Sequence, residues 1–312
     1  MLGALFPGQG SQALAMGSEL AEAFPAVRAR FDEADELLGI PLSRMMAEGP
    51  LEALTETHNT QPAVFLHSVA MWAVLRDAGF RATMASGHSL GEYSAFHAAD
   101  AFDFADGLKT VRLRGELMFE EGNQRPGAMA AILGMTSEAV EGVARQAAEE
   151  TGRIVTAANF NAPQQTAVSG EVEGVERAMA LAREAGARRA VRLPVSGAFH
   201  SALMAPIAEK LRECLAEVPL RETAFPVVAN ATATPAIQPC EIRQSLATQL
   251  TAPVRWVESI RHMVDAGVTG FVEIGPGSVL RGLVRKIAPG VPCVSVSSPK
   301  TLDAAREHLG ID

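Results

Sequence analysis

The spacing of apolar and polar positions divides the chain into two alternating kinds of segment. Short apolar runs bounded by glycine or proline predict strands at Leu2 to Phe6, Ala82 to Ser86, Phe225 to Ala229, Gly270 to Ile274 and Cys293 to Ser297. Longer stretches with apolar residues three and four apart predict helices at Gln61 to Asp77, Phe104 to Glu121, Leu203 to Val218, Val254 to Ala266 and Ser278 to Ile287. Strands that return after a helix run parallel, and strands apolar throughout are covered on both faces, so the pattern implies a parallel sheet between helical layers.

One block breaks this rhythm. Ala128 to Gly134 reads as a strand, a helix opens at Thr136, and Arg153 to Phe160 and Thr166 to Glu171 follow as two strands separated by a turn. A helix closed by Gly186 and a strand at Arg188 to Val195 complete β-α-β-β-α-β, the split ferredoxin-like motif. The expected organisation is therefore a large α/β-hydrolase-like domain of residues 1–126 and 196–312, interrupted by a small ferredoxin-like subdomain of residues 127–195. A cleft between two such units is a favoured ligand site.

Composition narrows the class. The 312 residues are 48% hydrophobic, enough for a substantial core, and the net charge of -9 argues against broad nucleic-acid or membrane-surface binding, which needs excess Lys and Arg. Basic clusters remain at Arg188, Arg189 and Arg192 and at Arg281, Arg285 and Lys286. Cys214, Cys240 and Cys293 are isolated from one another and from histidine clusters, so they read as reduced thiols, with neither a metal site nor a disulfide framework. The amino-terminal stretch lacks the charge and apolar run of a signal peptide, and no segment reaches the roughly 20 apolar residues of a spanning helix, so a cytoplasmic protein is expected.

The candidate chemistry centres on Gly87-His88-Ser89-Leu90-Gly91. A G-x-S-x-G sequence between strand and helix forms a nucleophile elbow: the glycines permit a bend too tight for a Cβ, and the serine hydroxyl stands at the helix amino end. The N–H of Leu90 is the natural oxyanion donor there. Serine needs a base, and seven histidines are available. His58, His262 and His308 read as surface residues and His67 and His97 as core; His88 should point away from the serine and shape the pocket wall. His200 sits where the small unit returns to the large one, facing the cleft. The residues alone leave open whether it is the base or makes an ordinary loop hydrogen bond.

Six ordered motifs then become recognisable: FPGQGSQ from Phe6, GHSLGEYSA from Gly87, Arg114-Gly115 with Leu117-Met118, GAFHS from Gly197, Gln249-Leu250 with Pro253, Val254 and Trp256, and EIGPG from Glu273. Together they resemble the malonyl-CoA:acyl carrier protein transacylases essentially end to end. The resemblance implies a ping-pong transfer in fatty acid biosynthesis, from malonyl-CoA through a malonyl ester of Ser89 to the phosphopantetheine thiol of acyl carrier protein. It makes His200 base and then acid, oriented by the backbone carbonyl at Gln249, and assigns the oxyanion hole to the N–H groups of Leu90 and Gln9.

Arg114 would grip the malonyl carboxylate; apart from the resemblance it reads as an exposed helix arginine paired with Glu116 or Glu120. Phe199, before the histidine, would exclude an α-methyl group, while Gly197 departs from the histidine common at that place in related polyketide domains. Substrate contacts are thus expected from Arg114, Phe199, His88 and Gln249, and Glu92 is read as structural. Asp100 stands where the family has a smaller residue, implying altered packing. No metal or redox cofactor is implied, and a monomer is expected. The acidic carrier would dock on some of the basic clusters. Two alternatives keep the same elbow: a trans-acting malonyl transferase of a polyketide synthase, and an acyl hydrolase acting on carrier proteins.

Overall fold

The structure, a computed structural model, describes residues 1–195 and 197–309. Its ten strands are β1 (Leu2–Phe6), β2 (Met84–Gly87), β3 (Gly127–Leu133), β4 (Val155–Ala162), β5 (Gln165–Glu171), β6 (Arg189–Arg192), β7 (Val227–Val228), β8 (Pro235–Ala236), β9 (Gly270–Ile274) and β10 (Cys293–Val296). They form a six-stranded sheet of order β10-β9-β1-β2-β7-β8 and a four-stranded sheet of order β4-β5-β3-β6. The first is parallel except for the β7–β8 pair, and the second is antiparallel throughout.

Apolar parity explains how the large sheet is covered. In β1, Ala4 and Phe6 enter one core with Phe65, Trp72 and Phe96, whereas Leu5 between them enters another with Trp256, Met263 and Phe271. Both faces of the strand are buried, which is why its sequence is apolar at consecutive positions. The helix Thr57–Asp77 is buried along most of its length, and Phe104–Gln124 packs beside it with its own buried stripe. The small sheet has a separate core, with Ile132, Val140, Val168 and Val175. Each fully buried side chain of this size contributes about 1.5–3 kcal/mol of transfer free energy.

The two sheets are joined by backbone as well as by side chains. The N–H of Phe160 donates to the carbonyl of Val254 (2.9 Å), and the N–H of Val254 donates to Ala158 (2.8 Å), so β4 carries a one-residue parallel bridge to the large unit.

Several expectations needed correction. The strand expected at Arg188 to Val195 is only four residues long, because Pro194 cannot donate to a ladder and the chain leaves the sheet ahead of it. The strand around Phe225 shrinks to two residues beside Pro226, and β2 starts two residues later than expected. Helices at Pro25–Leu38, Pro239–Thr248 and Pro299–Leu309 were not anticipated, although each has proline at its first turn, where a missing N–H costs nothing. His58 is half-buried with its ring 4.4 Å from that of Phe119, not a free surface residue. The side chain of His308 and residue Ser196 lie outside the described residues. Asp100 turns out exposed in a left-handed turn (φ 62°), its carboxylate 3.6 Å from Arg76.

Candidate active site

The bend after β2 is forced by sterics. A Cβ at position 87 would lie 1.9 Å from the carbonyl oxygen of Gly91, and one at position 91 would lie 2.0 Å from that of Phe6. With both flanks reduced to glycine, the chain reverses into the helix Gly91–Ala98, and Ser89 takes a left-handed φ of 50°. A non-glycine residue in that region stores about 1–3 kcal/mol of strain and must be held from outside. Asn230, fully buried after β7, does so: its Oδ1 accepts from the N–H of Ser89 (2.7 Å) and its Nδ2 donates to the carbonyl of Gly87 (2.7 Å).

His200 arrives from 111 positions downstream, with a left-handed φ of 59°. Its Nε2 is 2.8 Å from Ser89 Oγ, and its Nδ1 is 2.9 Å from the carbonyl of Gln249 and 3.2 Å from that of Ala252. Two carbonyls can only accept, so the ring proton sits on Nδ1 and the Nε2 lone pair faces the hydroxyl. Burial is the main reason its pKa falls to about 3, with the nearby charge of Arg114 adding to it, so the ring is neutral near pH 7. The segment that supplies those carbonyls runs directly into Val254, bridged to β4, and the small sheet thereby helps fix the imidazole.

Arg114 is 1% exposed and forms none of the surface pairs open to it; Glu116 is taken by Arg112 instead (2.6 Å). The guanidinium of Arg114 donates through Nη1 to Gln61 Oε1 (2.7 Å) and through Nη2 to Gln249 Oε1 (2.9 Å) and Ser89 Oγ (3.0 Å). Its Nε–H is buried with no acceptor among the described residues. Desolvation lowers its pKa, opposed by the surrounding Tyr93 and Glu92.

Ser89, His200 and Arg114 open onto a cavity of about 290 Å³, also lined by Phe199, Met118 and Met129. Gln9, His88 and Leu90 border it, and neither the Gln9 nor the Leu90 backbone N–H has an acceptor among the described residues. Both donors are thus available to a developing oxyanion. His88 points away from Ser89, as expected: its Nε2 meets Asn161 Oδ1 at 2.7 Å, its ring lies 5.4 Å from Trp256, and burial lowers its pKa.

One expectation about this site changes. Gln249 does not line the cavity; its side chain is buried behind the guanidinium, donating to Glu92 (2.8 Å) and to the carbonyl of Ser89 (3.0 Å). Gly8, which also lines the cavity, is small because a Cβ there would lie 2.4 Å from the carbonyl of His88, so it lets the loop pack against the elbow. Gln61 and Asn230 were not foreseen. Polar residues inside otherwise apolar stretches were the only signal for them.

A nucleophilic hydroxyl on an imidazole, a pair of free backbone donors and a buried cation, set at the end of a mostly parallel sheet, define an acyl-transferring enzyme. The chain belongs to the acyl transferase domain family, whose profile matches residues 5–296. It is 47% identical over 305 residues to a malonyl CoA-acyl carrier protein transacylase of Bacillus subtilis, covering 98% of this chain and 96% of that one. The Escherichia coli protein of the same description is 41% identical over 304 residues, covering 97% and 98%. Among solved structures, an acyl carrier protein S-malonyltransferase from Vibrio cholerae matches with a TM-score of 0.93 at 42% identity, over 97% of this chain and 99% of that one. A malonyl-transacylase in complex with a type II PKS acyl-carrier protein matches with a TM-score of 0.95 at 40% identity, over 98% and 99%.

Proposed function

We propose that this protein transfers malonyl from malonyl-CoA to the phosphopantetheine thiol of acyl carrier protein, in two half-reactions through an ester of Ser89, in fatty acid biosynthesis. The observation that carries this reading is the buried guanidinium of Arg114, 3.0 Å from the nucleophile and touched by no carboxylate among the described residues. A neutral acyl chain has no use for a desolvated cation beside its ester, whereas an acyl group ending in a carboxylate would leave an unpaired charge without one.

In the first half-reaction Ser89 Oγ gives its proton to His200 Nε2 and attacks the thioester carbon. The resulting oxyanion is met by the N–H groups of Gln9 and Leu90. Collapse breaks the C–S bond, and the imidazolium returns the proton to the departing coenzyme A thiolate. In the second half-reaction the carrier thiol gives its proton to His200, its sulfur attacks the ester carbon, and Ser89 leaves with that proton restored. Malonyl binding neutralises Arg114, removing one cause of the low His200 pKa just when a base is needed. Phe199 lines the cavity beside His200, in keeping with a preference for malonyl over an α-methyl extender.

For the finer architecture we adopt an α/β-hydrolase-like unit of residues 1–126 and 196–312 and a ferredoxin-like unit of residues 127–195. The order of elements in the small unit and its strand order β4-β5-β3-β6 support this. We take the protein to act as a cytoplasmic monomer that needs no metal or redox cofactor. No helix among the described residues is long and apolar enough to cross a membrane. Arg188, Arg189, Arg281 and Arg285 are exposed and form no ion pair among the described residues, which suits them to an acidic carrier.

The test is intact-protein mass measurement after mixing with malonyl-, methylmalonyl- and acetyl-CoA in competition. A single malonyl adduct, lost in Ser89→Ala and discharged by a pantetheine thiol faster than by water, is the expected result. Absence of an adduct, or discharge mainly to water, would replace the transferase with a non-catalytic or hydrolytic protein.

A further inference from the structure

The acid that reaches Arg114 through hydrogen bonds does not touch it. Glu92 is fully buried one amide away: Gln249 donates Nε2 to Glu92 Oε2 (2.8 Å) and accepts at Oε1 from Arg114 Nη2 (2.9 Å). The other contacts of the carboxylate are also donors, the Asn230 N–H at 3.0 Å and the Ser245 hydroxyl at 2.5 Å. A carboxylate can only accept; two fixed donors and a hydroxyl free to donate, with no fixed acceptor among the described residues, are the surroundings of an ionised group, held against the burial that raises its pKa.

We propose that Glu92 is the counter-charge of Arg114, set back by the width of one amide so that it tunes the affinity of the acyl pocket for the substrate's carboxylate without occupying the guanidinium. The inference rests on the malonyl-transfer reading. A direct Arg–Glu pair would have to break whenever substrate bound. A guanidinium with no counter-charge would hold the acyl carboxylate tightly before and after chemistry, and such uniform binding lowers KM without raising turnover. With Glu92 one residue removed, the free site is electrically balanced and the malonyl-loaded site carries one excess negative charge. That excess favours release and favours the imidazolium that forms on His200. Gln249 has its orientation fixed from both sides, by an acceptor-only carboxylate and a donor-only guanidinium, so the spacing is defined.

Glu92→Gln separates charge from geometry. The new amide oxygen can accept from Asn230 and Gln249, and its NH2 can donate to the Ser245 hydroxyl, so every contact has a replacement and only the charge is lost. Single-turnover acylation of Ser89 is measured by mass with malonyl-CoA and with acetyl-CoA, after a melting curve has shown the variant folded. The ratio of kcat/KM for malonyl over acetyl should rise about tenfold, through a lower KM for malonyl-CoA. A ratio that stays flat or falls overturns the proposal, since a positioning role alone predicts a fall. Should the glutamine variant not fold, Glu92→Asp keeps the charge and disturbs the contacts: both substrates slow together with the ratio within about twofold, whereas a tenfold rise there overturns the proposal. Wild-type protein that takes no malonyl would sink the function itself; wild type that does, with a flat ratio in Glu92→Gln, sinks only the counter-charge.

Discussion

Replacing Arg114 by alanine separates what the guanidinium does for any acyl group from what it does for a charged one. For every substrate the variant loses the donations to Gln61, Gln249 and Ser89 and leaves two amide oxygens buried without their partner. Each orphaned acceptor costs about 1–3 kcal/mol, a common loss that appears as a lower melting temperature and slower acylation by acetyl-CoA and malonyl-CoA alike. Malonyl-CoA carries a further loss. Its carboxylate must enter the same cavity without a cation, forgoing two charged hydrogen bonds of about 1.5–3 kcal/mol each, or about 3–6 kcal/mol in all. Since about 1.4 kcal/mol is tenfold, the malonyl-to-acetyl ratio of kcat/KM should fall by roughly 10² to 10⁴. The assay is single-turnover formation of the acyl-enzyme, followed by mass with each thioester over a range of concentrations. Arg114→Lys should recover only part of the ratio, because a single ammonium cannot reproduce the two-pronged grip. Equal losses for the two substrates, within about threefold, would refute the reasoning and remove Arg114 from carboxylate recognition.

Three further outcomes can be checked. Gly91→Ala forces a Cβ to 2.0 Å from the Phe6 carbonyl and should give insoluble or inactive protein, whereas Gly10→Ala meets nothing within 4 Å and pays only for its φ of 98°, about 1–3 kcal/mol by thermal melting. Reversing the charges of Arg281 and Arg285 should slow transfer to acyl carrier protein and flatten its salt dependence while leaving acylation by malonyl-CoA within about threefold; unchanged carrier kinetics would discard this docking face. Stability should decline in mild acid. The pKa of His67 falls to about 4 and that of His200 to about 3, chiefly through burial, and those of His58, His88 and His97 are also lowered. The unfolded chain therefore takes up protons from about pH 6.5 downward before the native one does, so the stabilising difference is complete above that pH and is lost toward pH 4 and 3. Glu92, whose pKa burial raises, works in the opposite direction but is one group against five. Melting temperatures measured across this range should fall with pH, and His67→Gln should shallow the slope by up to about one proton.

The elbow was legible in the sequence because everything that makes it is local: an apolar strand, two glycines and a helix within a dozen residues, where sterics allow only one kind of bend. The order of the small unit was legible for the same reason, each strand and helix declaring itself by its own periodicity. The division of labour between Arg112 and Arg114 was not. They lie two positions apart on the helix Phe104–Gln124, about 200° around its axis, and both donate to the helix Thr57–Asp77, Arg112 to the His58 carbonyl and Asn59 and Arg114 to Gln61; only the folded packing decides that Arg112 stays part-exposed on Glu116 while Arg114 is buried beside Ser89. Glu92 and Gln249 likewise carry no mark of being linked. They are 157 positions apart, and a buried carboxylate, amide and guanidinium become a chain of hydrogen bonds only when distant segments close over them and exclude water. Local sterics and hydrophobic period fixed the turn at Ser89 and the elements around it; the placement of His200 and Arg114 and their electrostatic setting depend on contacts between residues far apart along the chain, which exist only in the folded molecule.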